Sequence, residues 1–556
     1  MKLPPKYGVV TLGIILGFFF LVACTSTTIL LNSGYSDESE LEDSWVMLGG
    51  LTYNSVSLRI RNEEEVGLSR LVVTNDASDI VVLDKSINGS SNDFVTSVTI
   101  SELNSSTTYS YEVLDSRNIS LNSGTFKTAP VEGSRSNFKF AASGCAMSRT
   151  QNEVFSMIQD DNPLFFIHIG DIHYEDISEN DVGLRVRALD RMMASPHRRR
   201  FHASLPMTYI YDDHDWLGND SNGLGSGKES ALETYRVAMP YHDPLPSSQS
   251  SYHAFSIGTV RFILTDLRSD ATRTQLISDA QKEWFFGELR NSSDYDFVVW
   301  ISSLPWGGAF EEGDDAWKAF PDQRREISEF ISNVVPNNLI AVGGDAHMVA
   351  FDDGSNTYYG RNSTSKSFPI LQTAPLDRHG SFKGGLYSDG CKSFSLDRNH
   401  QYSVIEFLGD APEGPCLKIV SYRITLTNKK EEIFSKMLCG GDIFTESNPG
   451  IGSCDAMPFS PPTLSLVVVS SCLLAFVFME TCFLAFPVWK ASTISLFILL
   501  MYSLTLLMGW AIPKGRGIGQ VDTFEILIVG SLQLFCCAIY LGFWIRNARS
   551  TRKSAL

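Results

Sequence analysis

Leu164-Phe165-Phe166-Ile167-His168-Ile169-Gly170-Asp171-Ile172-His173-Tyr174 is the most informative stretch of this 556-residue chain. A short apolar run that breaks off at Gly-Asp reads as a buried strand whose carboxyl end opens on a tight turn. The carboxylate set on that turn can bridge two cations, one through each oxygen. Working outward, the pattern recurs. Phe138–Ala142 is followed by Ser143-Gly144-Cys145, Met207–Tyr211 by Asp212-Asp213-His214-Asp215, and Leu339–Val342 by Gly343-Gly344-Asp345-Ala346-His347. Arg261–Thr265 ends at Asp266-Leu267-Arg268, and Phe297–Ile301 at Ser302-Ser303-Leu304-Pro305-Trp306. Helical periodicity lies between these runs at Asn152–Gln159, Val182–Met193, Ser278–Leu289 and Asp322–Asn333, with Ser278 and Gln281 spaced as a capping box. Strands alternating with helices predict an α/β domain over 136–440. One Asp at a strand end is usually a turn or a helix cap. Four strands ending in Cys, Asp, Tyr and His form a constellation at the edge where α/β sheets gather ligands.

The residue types fit metal chemistry. Cys145 and Tyr174 offer one soft and one phenolate ligand beside hard oxygens, and Asp345 and His347, two apart, share a face if the segment is extended. Asp213 and His214 are neighbours whose side chains diverge, so one can bind metal while the other faces substrate. Thiolate, phenolate and carboxylate suit a high-valent iron or another transition metal; carboxylate, amide and imidazole suit Ca²⁺, Mn²⁺, Mg²⁺ or Zn²⁺. Two metals ~3.5–4 Å apart lower the pKa of a bridging water and clamp the oxygens of an in-line phosphoryl transfer. His214 would donate a proton to the leaving oxygen or stabilise charge on the transferred group.

Ser143-Gly144-Cys145, Gly170-Asp171-Ile172-His173-Tyr174, Asp212-Asp213-His214-Asp215 with Asn219-Asp220-Ser221, and Gly344-Asp345-Ala346-His347 together resemble the motifs of the alkaline phosphatase D (PhoD-like) family of calcineurin-like metallophosphoesterases. Asp266-Leu267-Arg268, Gln281 to Trp284, Trp317 to Arg325 and Ala374-Pro375-Leu376-Asp377-Arg378 fit the same pattern, so the resemblance covers about 136–405. It implies a four-layer α/β/β/α sandwich, a dinuclear centre and hydrolysis of phosphate mono- or diesters. By motif, Cys145, Asp171 and Tyr174 would hold Fe³⁺ with Asp345 nearby, Asp171 would bridge, and Asp213 or Asn219 with His347 would hold a second metal, often Ca²⁺. His214 matches the catalytic histidine. Asp215 stands where a Glu is often found. A thiol hydrolase using Cys145 as nucleophile would not need three further carboxylates at one sheet edge, and a silent receptor built on the same fold would be expected to have lost ligands that are all present here.

Elsewhere, residues 44–130 read as a small all-β, fibronectin III-like sandwich, with strands at Ser57–Arg61, Leu71–Thr74, Ile80–Leu83, Phe94–Ile100 and Thr108–Val113. No His or Cys occurs among them. Four apolar stretches, Val9–Leu31, Thr463–Val488, Ala491–Ile512 and Thr523–Ile545, approach the ~20 residues of a membrane span. They predict a signal-anchor or signal peptide over 1–35, three transmembrane helices over 463–545 and a basic cytoplasmic tail at 546–556. The expectation is therefore a multi-pass membrane protein with its catalytic domain extracellular or lumenal. Sequons at Asn88, Asn104, Asn118, Asn291 and Asn362 agree with glycosylation there, and Cys391, Cys416, Cys439 and Cys454 could form two disulfides in one of three connectivities. The chain carries a net charge of −18, and with the cationic ends set aside the middle carries −24. An acidic body of that size argues against a nucleic-acid-binding surface. The basic run His197-Arg198-Arg199-Arg200 is a weaker candidate for steering a phosphate.

Overall fold

The computed structural model describes residues 44–448 apart from 63–67, 89–94, 149–152, 308–314, 362–364, 379–385, 391–399, 426–427 and 441. Two sheets face one another across the main core. The nine-stranded first sheet runs in the order Lys430–Cys439, Cys416–Ile424, Gln401–Leu408, Phe138–Ser143, Phe165–Ile169, Met207–Ile210, Trp45–Gly49, Val56–Arg61 and Val95–Ile100. The seven-stranded second sheet runs His253–Ile257, Val260–Thr265, Phe297–Ser302, Leu339–Gly343, Ile370–Thr373, Val349–Asp352 and Asp389–Gly390. The centre of each sheet is parallel: Phe138–Ser143, Phe165–Ile169 and Met207–Ile210 in the first, and Val260–Thr265, Phe297–Ser302, Leu339–Gly343 and Ile370–Thr373 in the second.

Period-two alternation sets the layers. Phe140, Phe165, Ile167 and Ile169 point into the core between the sheets, where Phe262 meets Phe140 and Phe165 edge-on at 5.2 and 5.4 Å. Ala141 and Phe166 point the other way, into a second core roofed by the helices Val154–Asp160, Val182–Met193, Pro196–Ser204 and Lys228–Ala238. On the far side, the helices Asp279–Arg290 and Pro321–Val334 cover the second sheet, Phe285 packing on Trp300 at 5.0 Å. Ser278 caps its helix by accepting the Gln281 N–H, as the spacing predicts. The result is a mixed α/β fold with helices outside two stacked sheets.

The β-rich segment is joined to this body. Leu68–Asn75, Ile80–Asn88, Thr108–Leu114 and Ser120–Lys127 form a separate four-stranded sheet, whose Leu71, Val73, Tyr111 and Val113 share a core with Val46, Leu58 and Val98. Those last three lie on strands that continue the first sheet, with Gly49 paired to Met207 in parallel. Arg61 and Trp45 both reach Asp190 on the helix roof, at 3.1 and 2.8 Å. Such a pairing, 158 positions apart in the chain, leaves no local signature.

The expectation of a multi-pass membrane protein with an extracytoplasmic catalytic domain is corrected here. Among the described residues no helix is long and apolar enough to cross a membrane. The longest, Pro321–Val334, has 14 residues and one buried face, about 21 Å at 1.5 Å per residue against a hydrocarbon core of ~30 Å. The four apolar stretches and the basic tail lie outside the described residues, as do Cys391, Cys454 and Asn362. Cys416 and Cys439 face each other across adjacent strands and are disulfide-bonded.

Candidate metal centre

The parallel strands deliver their carboxyl ends to one edge, and two glycines let the turns close. A Cβ on Gly170, whose φ is +77°, would fall 2.3 Å from the Asp212 Cβ; one on Gly344 would fall 2.4 Å from the Ile169 carbonyl oxygen of the facing sheet. Loops from both sheets therefore touch. The residues that follow are strained as well. Cys145, Asp171, Asp345 and His347 have φ of 60°, 54°, 53° and 48°, a left-handed conformation costing of order 1–3 kcal/mol for a non-glycine residue. The segment holding Asp345 and His347 is thus a tight bend and not the extended run that would place both on one face.

This backbone gathers the expected ligands into two groups that share one carboxylate. Ligand atoms of Cys145, Asp171 and His347 lie within 4.8 Å of one another, and so do those of Asp171, Asp213 and His214. Tyr174 belongs to the first group: its hydroxyl donates to Asp171 Oδ2 at 2.7 Å and lies 3.1 Å from His347 Nε2. Asp345 is buried beside them, close enough to Cys145 and Asp212 for its charge to act on both. Of the two alternatives for the second group, Asp213 is buried against Asp171 whereas Asn219 is exposed. His347 has a ligand atom beside those of Cys145 and Asp171, while the resemblance implies it for the second metal. A third acidic group, Asp213 with Asp220 and Asp315, escaped the sequence reading because Asp315 lies outside every strand-end motif.

The electrostatics set several buried acids close together. Burial pushes the Cys145 thiol well above its usual range, and the carboxylates of Asp171, Asp345 and Asp212 add to the effect. Burial likewise raises Asp171, with the Asp213 charge next in size. His214 behaves oppositely. Burial disfavours its charge, but Asp171, the bond to Asp176 and the charge of Asp213 outweigh that and raise it to about 9. Its Nδ1 sits 2.5 Å from Asp176 Oδ1, which fixes the ring.

Supporting residues tie the loops together. Asp215 accepts the N–H groups of Ile172 and Asp212 at 2.8 Å and the Tyr209 hydroxyl at 2.7 Å, joining the 170–174 and 212–215 turns. Arg268 pairs with Asp212 and, at 2.8 Å, with Asp315. Arg198, read as a possible phosphate-steering residue, is buried and donates to the carbonyls of Met147 and Ile172 at 2.8 and 2.7 Å. His168 is a buried core residue, and His173 is buried and held by its surroundings at a pKa of about 3.

Residues 139–402 match the family model described as PhoD-like phosphatase. A curated relative, alkaline phosphatase D of Bacillus subtilis (strain 168), is 24% identical over an alignment covering 26% of this chain and 32% of that relative. The chain thus spans about a third of the curated relative it matches. A solved structure of PhoD superposes with a TM-score of 0.59 at 15% identity, covering 75% of this chain and 94% of that one. A purple acid phosphatase from yellow lupin (Lupinus luteus) seeds gives a TM-score of 0.49 at 12% identity, over 74% and 77%. The likeness to the solved PhoD structure shows the shared fold, and over residues 139–402 the chain is similar to the PhoD-like phosphatase family.

Proposed function

We propose that this protein is a phosphoesterase that hydrolyses phosphate mono- or diesters at a dinuclear metal centre. The observation that carries the reading is the sharing of Asp171 between two ligand groups at one sheet edge. The donors fit the metals. A buried thiol and a half-buried phenol whose protons are hard to remove, set against several buried carboxylates with one arginine between them, are compensated best by cations. Cys145, Asp171 and Tyr174, with His347 and Asp345, would hold a metal of the Fe³⁺ type; Asp171 and Asp213 would hold a divalent ion such as Ca²⁺. Bound there, the two ions would supply an activated water and neutralise charge on the phosphoryl oxygens.

The chain's own residues do the rest. Protonated His214, its Nδ1 held by Asp176, presents Nε2 as a proton donor to the leaving oxygen. Asp215 and Arg198 fix the two ligand turns, so the acid and the carboxylates keep their spacing. Cys145 is 0% exposed with a raised pKa, the reverse of a thiol nucleophile. The test is hydrolysis of mono- and bis-(p-nitrophenyl) phosphate by the full chain with and without chelator. Turnover that chelator abolishes supports the reading; turnover indifferent to chelator and to Asp171→Asn refutes it.

A further inference from the structure

Arg378 is a partly exposed guanidinium beside this site, and among the described residues no carbonyl or carboxylate takes up its donors. Arg198, Arg185 and Arg268 spend theirs on backbone carbonyls and carboxylates inside the protein. Arg378 lies 4.3 Å over the ring of Tyr174, and its described hydrogen bond goes to the Met147 thioether sulfur at 2.9 Å, a weak acceptor. Among the described residues no carboxylate pairs with it. Its position is nevertheless fixed. Leu376 N–H donates to the Gly144 carbonyl at 2.7 Å, and Asp377 accepts the Met147 N–H, so the arginine's loop is bonded to the loop that carries Cys145.

The charge pattern gives this placement meaning. Cys145, Asp171, Asp213 and Asp345 are buried, whereas Tyr174, His214 and Arg378 are partly exposed. Tyr174 packs against His214 with ring centroids 4.2 Å apart. An acidic floor is thus rimmed by two cationic side chains flanking one phenol; His214 is paired with the exposed Asp176, whereas Arg378 has no such carboxylate among the described residues. Arg378 is thus the cation at the rim that an arriving anion can engage.

We propose that Arg378 binds non-bridging phosphoryl oxygens of the substrate and so favours a dianionic monoester over a diester. This rests on the phosphoesterase reading above. A guanidinium presents a planar fork of donors that matches two phosphate oxygens. A monoester has three non-bridging oxygens and leaves one or two for Arg378 after the metal side is satisfied. A diester has two, with a single charge, and gains less from the rim.

The experiment compares the full chain with its Arg378→Gln and Arg378→Lys variants. It measures kcat/KM on mono- and bis-(p-nitrophenyl) phosphate, direct binding of inorganic phosphate by calorimetry, metal content and melting temperature. Arg378→Gln should lower monoester kcat/KM by roughly 10²-fold and diester kcat/KM by less than tenfold, and should weaken phosphate binding, with metal content and melting temperature unchanged. Arg378→Lys, keeping charge without the fork, should fall between. Equal losses on both esters would mean that Arg378 only props Tyr174, and wild-type behaviour would mean that it touches no phosphate; either overturns the proposal. An inert wild type with bound metal would refute the phosphoesterase reading alone. Phosphate affinity would then decide Arg378 by itself: lost in Arg378→Gln supports the role, unchanged overturns it.

Discussion

The strand-end loops and the four-stranded sheet over 68–127 are built on opposite principles. In the sheet, strand Thr108–Leu114 buries Tyr109, Tyr111 and Val113 and turns Thr108 and Glu112 outward, so burial of apolar area stabilises it directly. At the loops, burial removes carboxylates and a thiol from water, and four non-glycine residues are held left-handed. Each such choice costs folding free energy. The region that looks worst as a folding unit is the one proposed to bind cations, and the core beneath it holds it in place.

That contrast can be broken experimentally. The largest effect is expected at the shared carboxylate. Asp171→Asn should lower kcat/KM by about 10³-fold, ~4 kcal/mol of transition-state stabilisation, and empty both metal positions as read by elemental mass spectrometry. A smaller effect is expected one step removed. Asp215→Asn keeps the shape but weakens three bonds that tie the ligand turns, and should cost 10- to 100-fold in activity or metal affinity, with Asp215→Glu restoring part of it. In the sheet the pattern should invert. Leu71→Ala, at a fully buried site, should cost ~2–5 kcal/mol in chemical denaturation while the folded fraction keeps its kcat/KM within about twofold. A large activity loss per folded molecule there would erase the distinction between the regions.

The gentlest test uses pH. Burial lowers His242 to about 3 and His253 to about 4, where the two rings lie between the second sheet's edge and the Leu51 carbonyl. Both stay neutral in the folded state while the unfolded chain takes up protons near pH 6.5. Stability is therefore full above that value and declines as pH falls toward 4, by up to roughly 1.4 kcal/mol per pH unit for each ring. His242→Gln should flatten the decline, and an unchanged slope would assign it to other groups.

Much of this was legible in the chain. The strands Phe138–Ser143, Phe165–Ile169 and Leu339–Gly343 and the helix Val182–Met193 lie within a residue or so of where apolar runs and periodicity place them, and the Gly-Asp turns mark the site edge. Local pattern could not show what long-range pairing decides. Gly49 joining Met207 merges the β-rich segment with the catalytic sheet, and Asp315 enters the acidic cluster from a loop of its own. Arg198, in the helix Pro196–Ser204, is a buried tie between loops and not part of a basic surface, which local pattern cannot show. The left-handed turn at Asp345 and His347 is a feature the letters Gly-Asp-Ala-His do not carry.

The central claim is that two metal ions meet at Asp171. Elemental mass spectrometry of the purified full chain and of Asp171→Asn, with folding checked by circular dichroism, tests it most directly. Two ions per wild-type chain, both lost in the variant, is the predicted result. A folded wild-type chain that stays metal-free after reconstitution, or a variant that keeps both ions, would contradict it.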